Sequence, residues 1–299
     1  MFLGTPEAAV PTLVALTQAA DVVAVITRPD RPRGRSARPV PSPVKQRSTE
    51  LGIPVLQPGG ASELSEVLGS IGRLDLGVVT AYGSLISGPA LDSARRGFLN
   101  VHFSLLPRWR GASPVVAAVV AGDEETGVTV MHLDPGLDSG PVIAARPVVI
   151  GPDETAGDLT SRLAAIGAEL LVEHLPGWME GSLSATPQPG VGVSYAPKLT
   201  TADRILDPSE PARELVRRIR ALAPRPGAVL ALGDSRLRIL AGRSHIFEVP
   251  TGELKVIDDR VLVGTGEGAL ELLTVQPPGK QPMAGDAWIR GARLSIARD

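Results

Sequence analysis

No cysteine occurs among the 299 residues, which excludes disulfides, thiolate nucleophiles and zinc–thiolate sites together and fits a reducing compartment. Only four histidines are present, at 102, 132, 174 and 245. No two of them have the spacing of metal ligands on one helix, so the sequence asks for no metal. Apolar residues make up 43% of the chain, yet no run reaches the roughly 18–20 residues of a membrane span. The opening Met1–Pro6 has no basic region followed by an apolar stretch, unlike a secretory signal. P-loop, Gly-x-Ser-x-Gly and His-Glu-x-x-His patterns are missing, and Gly4-Thr5-Pro6 lacks the later glycines of a dinucleotide fingerprint. These absences describe a cytoplasmic protein with no membrane partner.

A net charge of −2 argues against wholesale nucleic-acid binding, but the total conceals a local patch. Residues 1–199 hold 15 basic and 19 acidic side chains. Within them, 28–47 carries Arg28, Arg31, Arg33, Arg35, Arg38, Lys45 and Arg47 against Asp30 alone. Five prolines bound this stretch, so it reads as a long exposed loop after a strand, and long loops in compact domains tend to be functional or disordered. Either it is a solvated arm, or it is an arm for the phosphates of a bulky RNA, with Arg33, Arg35, Arg38 and Lys45 as the contacts.

The first half alternates apolar runs with helical segments. Residues 22–27, 76–80 and 99–102 read as strands buried on both faces; 7–19, 43–51, 61–71 and 113–121 read as helices. That alternation implies βαβ units and a doubly wound, mostly parallel α/β sheet. A long amphipathic helix is expected over 155–180, with Leu159, Leu163, Ile166, Leu170 and Trp178 on one stripe. From 182 to 200 the composition turns to Ser, Thr, Pro, Gly and Gln, the text of an extended linker. After one helix near 210–222, short alternating runs separated by Gly and Asp suggest a small β-barrel of about five strands, of which the OB-fold is one option. The division expected is thus 1–181, a linker over 182–200, and 201–299.

Asn100 and His102 end an apolar strand. Two apart, they share a face while Leu99, Val101 and Phe103 share the other. Polar side chains on a covered sheet are costly unless they reach its open edge, and ligands bind beyond the carboxyl ends of the strands. A hydrogen-bonded core pair is the alternative. Ser104-Leu105-Leu106-Pro107 follows at once and would form a pocket wall. Asp134 and Asp138 lie in a Pro- and Gly-rich loop after the strand 126–133. They read as turn formers, unless one carboxylate reaches a histidine nitrogen, fixes its tautomer and stabilises its cationic form. His132 reads as structural, and His174 and His245 have no polar companion in sequence.

Together these segments resemble the folate-dependent formyltransferases, and among them the methionyl-tRNA formyltransferases. The strings that carry the likeness are Gly4-Thr5-Pro6-Glu7, Pro29–Pro32, Pro41–Lys45, Ala81-Tyr82-Gly83, Asn100-Val101-His102, Ser104–Gly111, Gly136-Leu137-Asp138, Tyr195–Leu199 and Trp288–Gly291. The resemblance implies that Asn100, His102 and Asp138 are catalytic and that Ser104, Leu105, Leu106 and Pro107 line the folate site. It also implies that the loop around Arg35 holds the acceptor arm of initiator methionyl-tRNA, and that the C-terminal barrel holds the rest. The donor would be 10-formyltetrahydrofolate, with no metal, and the enzyme a monomer. A glycinamide ribonucleotide formyltransferase should lack the last hundred residues. A hydrolase or a sugar-nucleotide formyltransferase should lack the arginine loop. Outside the class, a non-catalytic RNA-binding protein is disfavoured by the intact trio, and a nicotinamide-dependent dehydrogenase by the missing glycines. Three departures from the family stand out: a short first strand for which loose pairing is expected, Phe103, and Arg225 where an aromatic is usual.

Overall fold

The computed structural model describes residues 1–32, 38–72, 74–232 and 235–292, with the backbone of 297–298. Arg33 and Arg35 lie outside the described residues. Contacts group the chain into two units. The first takes 1–114, 125–149 and 160–197; the second takes 115–124, 150–159 and 198–299. Two things therefore differ from boundaries at 181 and 201. Residues 182–197 pack within the first unit, because Tyr195–Ala196 pairs as a strand with Arg110–Gly111. Residues 115–124 and 150–159 pack within the second, where Gly157 lies under Pro224 and Gly122 under the Arg217 guanidinium. Hydrophobic periodicity tells which face a segment buries, not which partner covers it.

The first unit is built on seven strands: β1 (Phe2–Gly4), β2 (Val25–Ile26), β3 (Val55–Leu56), β4 (Gly77–Thr80), β5 (Phe98–His102), β6 (Glu125–His132) and β7 (Val142–Val149). Their order is β7-β6-β5-β4-β1-β2-β3. Strands β1 to β5 pair in parallel, and β6 runs antiparallel to both its neighbours. The mostly parallel α/β sheet expected from the alternation is what forms. Three residues suffice for β1: Phe2 and Leu3 are registered with β2 on one side and β4 on the other. Its short length therefore does not loosen it, since a central strand is held along both edges.

Helices cover both faces. Leu64 and Leu68 of Ala61–Ser70 join Leu3, Ile26, Val79 and Phe98 in one core. On the other face, Gly167 of Ala156–Glu180 lies against Val101 and Val128, with Phe103 close by. Phe103 is buried, so the departure at that position is a packing one. Thr155 accepts from the Asp158 N–H and starts the long helix, as an N-cap should. The basic stretch is less loop-like than its prolines suggest. Arg31–Pro32 and Pro39–Val40 pair as a short hairpin, and Pro43–Glu50 is helical, with Ser42 capping it. Proline at the first helical position costs nothing, because that N–H has no partner in any helix.

The second unit is a curled, mainly antiparallel sheet. Its central strands are Ala228–Leu232, Ser235–His245, Ala269–Gln276, Arg260–Gly264 and Leu254–Ile257, in that spatial order. Ile205–Leu206 and Ala297–Arg298 flank them, and Met283–Ala284 adds beside Ala269–Gln276. The helix Ala212–Leu222 places Leu215, Ile219 and Leu222 against Leu230, Ile239, Leu270 and Val275. The barrel is a half-barrel, since the path ends in two strands that do not pair with each other among the described residues.

Candidate active site

Chain order reverses between β1 and β4. After β1 the chain adds strands on one side, then returns to add β4 on the other. Such a switch leaves a crevice at the carboxyl edge. Here the crevice is tied down locally. Thr5 Oγ1 donates to the Tyr82 carbonyl at 2.9 Å and Arg28 reaches the Gly83 carbonyl at 2.5 Å. Asn100 and His102 emerge at the same edge, one strand further along, from a β5 buried at every position. Their side chains are 9% and 6% exposed as residues, so each must find partners or a substrate.

They find the loop between β6 and β7. Asp138 Oδ1 accepts from Asn100 Nδ2 at 3.4 Å, and Asp138 Oδ2 lies 3.7 Å from His102 Nδ1. The same Oδ2 accepts the Gly111 backbone N–H at 2.8 Å. His102 Nε2 is 3.0 Å from the Trp109 carbonyl. A carbonyl can only accept, so Nε2 carries a hydrogen in this arrangement. Asn100, His102 and Asp138, separated by 36 residues or more between strand and loop, thus come together. The two aspartates divide the work. Asp134 takes the Gly136 N–H and the Ser139 hydroxyl, as a turn former does, and Asp138 faces the histidine.

The backbone that presents these groups is itself unusual. Asp138 and Trp109 have φ of 47° and 61°, a left-handed region that costs non-glycine residues about 1–3 kcal/mol each and concentrates at functional sites. Gly111, with φ of 115°, is needed for another reason: a Cβ there would stand 2.7 Å from the Ala196 carbonyl oxygen. Only glycine lets that strand pass and still aim its N–H at Asp138.

Of the folate candidates, Ser104 is fully buried. Its hydroxyl donates to the Arg108 carbonyl at 2.6 Å and its own carbonyl accepts from Thr129 at 2.7 Å. Leu105, Leu106 and Pro107 are half-buried, so the apolar surface offered is theirs. Among the tRNA candidates, Arg38 is exposed. Lys45 is turned inward, to Asp30 Oδ2 at 2.7 Å and Gln57 Oε1 at 2.6 Å. The Lys45 bond first, and then one from Gln57 Nε2 to Asp30 Oδ1 at 2.8 Å, hold the Asp30 carboxyl below its ordinary value. His132 packs on Trp178 with ring centroids 5.5 Å apart. His245, without a companion in sequence, meets Glu271 across strands at 2.7 Å. Among the described residues no three His, Asp or Glu side chains are grouped to hold a metal ion, and no helix is long and apolar enough to cross a membrane.

Several contributors escaped the sequence reading. The Gly111 N–H and the Trp109 carbonyl are backbone groups, which carry no signal in residue type, and the Ser194 hydroxyl lies in a stretch that reads as linker. Ser194 Oγ accepts from Trp109 N at 2.9 Å and the Ser194 carbonyl from Arg110 N at 2.9 Å. A second feature lies in the half-barrel: a groove of about 430 Å³ lined by Arg204, Arg236, Arg238, Lys280, Gln276 and others, with no carboxylate in its lining. Arg204 and Arg238 also hold the carbonyls of Pro224, Pro226 and Gly227, so the loop that carries Arg225 is fixed from beneath. Burial, then the Arg204 and Arg225 cations, lower the Arg238 guanidinium from its ordinary value.

A doubly wound sheet with this edge, in a chain that also carries a half-barrel, defines a class. The family model described as formyl transferase matches residues 4–175, and the formyl transferase C-terminal domain matches 198–293. A solved sugar 3N-formyl transferase, WlaRD, shares the fold with a TM-score of 0.69 at 17% identity, over 94% of this chain and 97% of its own. Methionyl-tRNA formyltransferases match far more closely in sequence. The one from Halorhodospira halophila is 47% identical, over 98% of this chain and 96% of its own length. The one from Acidothermus cellulolyticus is 45% identical, over 99% and 97%. The chain belongs to the methionyl-tRNA formyltransferase family.

Proposed function

We propose that this chain moves the formyl group of 10-formyltetrahydrofolate onto the amino group of initiator methionyl-tRNA. The observation that carries the reading is the convergence of Asn100, His102 and Asp138 at the carboxyl edge of the sheet. Bound there, formylfolate supplies an activated one-carbon unit; the half-buried Leu105–Pro107 surface suits its apolar rings, and the two polar donors suit its carbonyl. Asn100 makes one long contact, to Asp138, and keeps an amide hydrogen to offer. His102 Nε2–H, now on the Trp109 carbonyl, can exchange that acceptor for the formyl oxygen as negative charge develops on it. Fixed donors of this kind are each worth about 10²–10³ in rate. Asp138 Oδ2 lies 3.7 Å from Nδ1, within reach of a hydrogen bond that would tighten with substrate bound and keep Nε2 aimed. His102, directly or through a water, can pass the proton that the attacking amine loses to the departing nitrogen.

The RNA partner is read from charge. Arg33, Arg35 and Arg38 belong to the basic stretch of the sequence and would be phosphate contacts for the acceptor arm. Lys45 contributes from behind, by fixing Asp30 at the hairpin's base. The groove with Arg236 and Lys280 suits further phosphates of the same tRNA. The test is formyl transfer from 10-formyltetrahydrofolate to charged initiator tRNA by wild type and His102→Ala. Transfer by wild type and its loss in the variant are expected; near-normal turnover in His102→Ala overturns the proposed chemistry.

A further inference from the structure

Gln188 lies in the stretch whose composition reads as linker, yet its side chain makes four contacts inside the first unit. Its Nε2 donates to the Asp138 carbonyl and to the Gly140 carbonyl, both at 2.8 Å. Its Oε1 accepts from Arg110 Nε at 3.1 Å and from the second guanidinium nitrogen at 2.6 Å. One amide thus joins the two segments that meet at the Asp138 carboxylate: its own loop on one side, and the Arg110–Gly111 strand, whose Gly111 N–H it accepts, on the other.

The segment around Gln188 is anchored for this. Two residues before it, Thr186 exchanges both backbone hydrogen bonds with Val142, just past the Asp138 loop. Beyond it, Tyr195 and Ala196 pair with Arg110 and Gly111. Pro187 and Pro189 flank it, so the backbone on either side has φ fixed near −65° and no N–H to satisfy. A half-buried amide held on a stiffened chain loses little further freedom when it forms its bonds. Asp138, with its left-handed φ of 47°, is the residue that needs such support, because nothing in its own loop is a regular element.

We infer that Gln188 is a positioning residue for formyl transfer: it holds the Asp138 loop against the Arg110–Gly111 strand and so sets the carboxylate's place against His102. The inference rests on the proposed chemistry at Asn100, His102 and Asp138. It concerns a side chain whose amide is committed on both ends to protein groups, so its effect should fall on turnover and not on binding.

The experiment compares wild type with Gln188→Met and Gln188→Glu in steady-state formyl transfer, with thermal unfolding of each. Methionine keeps the shape and removes all four bonds. Glutamate keeps the acceptor for Arg110 and removes the donor to the two carbonyls. Both should lower kcat by about ten- to a hundredfold, the range expected from a small misplacement of a reacting group, with KM for formylfolate and for tRNA within about twofold of wild type. Introduced into Asp138→Asn, which already lacks the carboxylate, Gln188→Met should cost less than threefold more, because both changes act through one group. Normal kcat in both variants overturns the inference. So does a fall in kcat that multiplies in full with Asp138→Asn, which marks a general structural role. If Gln188→Met fails to fold, Gln188→Glu alone decides by the same kcat and KM criteria. Failure of the underlying chemistry shows separately, as normal turnover in Asp138→Asn itself.

Discussion

At the carboxyl edge of the first sheet, polar groups hold one another. In the groove of the half-barrel two of the cations are left loose. Asp138 has Gly111, Asn100 and His102 around its carboxylate, whereas the Arg236 guanidinium and the Lys280 ammonium line the groove with no side-chain partner among the described residues, beside an Arg238 held by Gln276 Oε1 at 2.8 Å. On the proposed function, the difference separates two physical tasks. Stabilising charge that appears for an instant needs donors aimed beforehand, since reorganising them would cost as much as they return. Attracting a polyanion needs only positive potential, and long side chains left loose can follow the phosphates.

The contrast is broken most directly at the first region. Asn100→Ala, His102→Ala and Asp138→Ala should each lower turnover by at least about a hundredfold. A double variant should lose far less than the product of the singles, as groups that act as a unit do. Single-turnover rates check this; full multiplication would mean the three act independently.

The second region should answer in affinity instead. Arg236→Ala and Lys280→Ala should each weaken tRNA binding and reduce the slope of log affinity against log salt by up to about one. At saturating tRNA, turnover should stay near that of wild type. A fixed slope in both would return the groove to an ordinary solvated surface. Arg35→Ala should behave in the same way while leaving formylfolate binding unchanged; a loss of turnover at constant affinity would instead assign that residue to positioning the amine.

The smallest effect belongs to Lys45, which is basic but already committed. Lys45→Met should lower stability by less than about 1 kcal/mol, the range of a partly exposed pair. Asp30 is held below its ordinary value, so the pairing is fully present above the unfolded value and is lost as pH falls through the folded one. The difference in melting temperature between Lys45→Met and wild type should therefore close as pH drops below the usual carboxylate range. A difference that persists at low pH would point to packing of the lysine stem.

How much of this the sequence disclosed follows from what side-chain patterns encode. The strand ending in Asn100-Val101-His102 was legible because two polar residues at spacing two break an apolar run. The sheet was legible from alternation, and the long helix from its apolar stripe. Asp138 could be picked over Asp134 only through resemblance, since both sit among Pro and Gly and only geometry separates the turn former from the carboxylate that faces His102. Lys45 read as one of a basic run because composition does not show that Asp30 and Gln57 fold against it. Gln188 was hidden for the opposite reason. Its surroundings are those of a linker, and a strand of two residues paired to another of two leaves no periodic trace.

The pairing of Tyr195–Ala196 with Arg110–Gly111 bears on where such a protein can be cut and rejoined. The two family models leave residues 176–197 between them, and a chimaera designed from those limits would treat that stretch as disposable cord. A fragment ended at 181 keeps Asn100, His102 and Asp138 and gives up Gln188, Ser194 and Ala196, which brace the loops around them. Interchange of second domains in this family is therefore expected to succeed at joints placed after Ala196, with the borrowed module beginning where the brace has already closed.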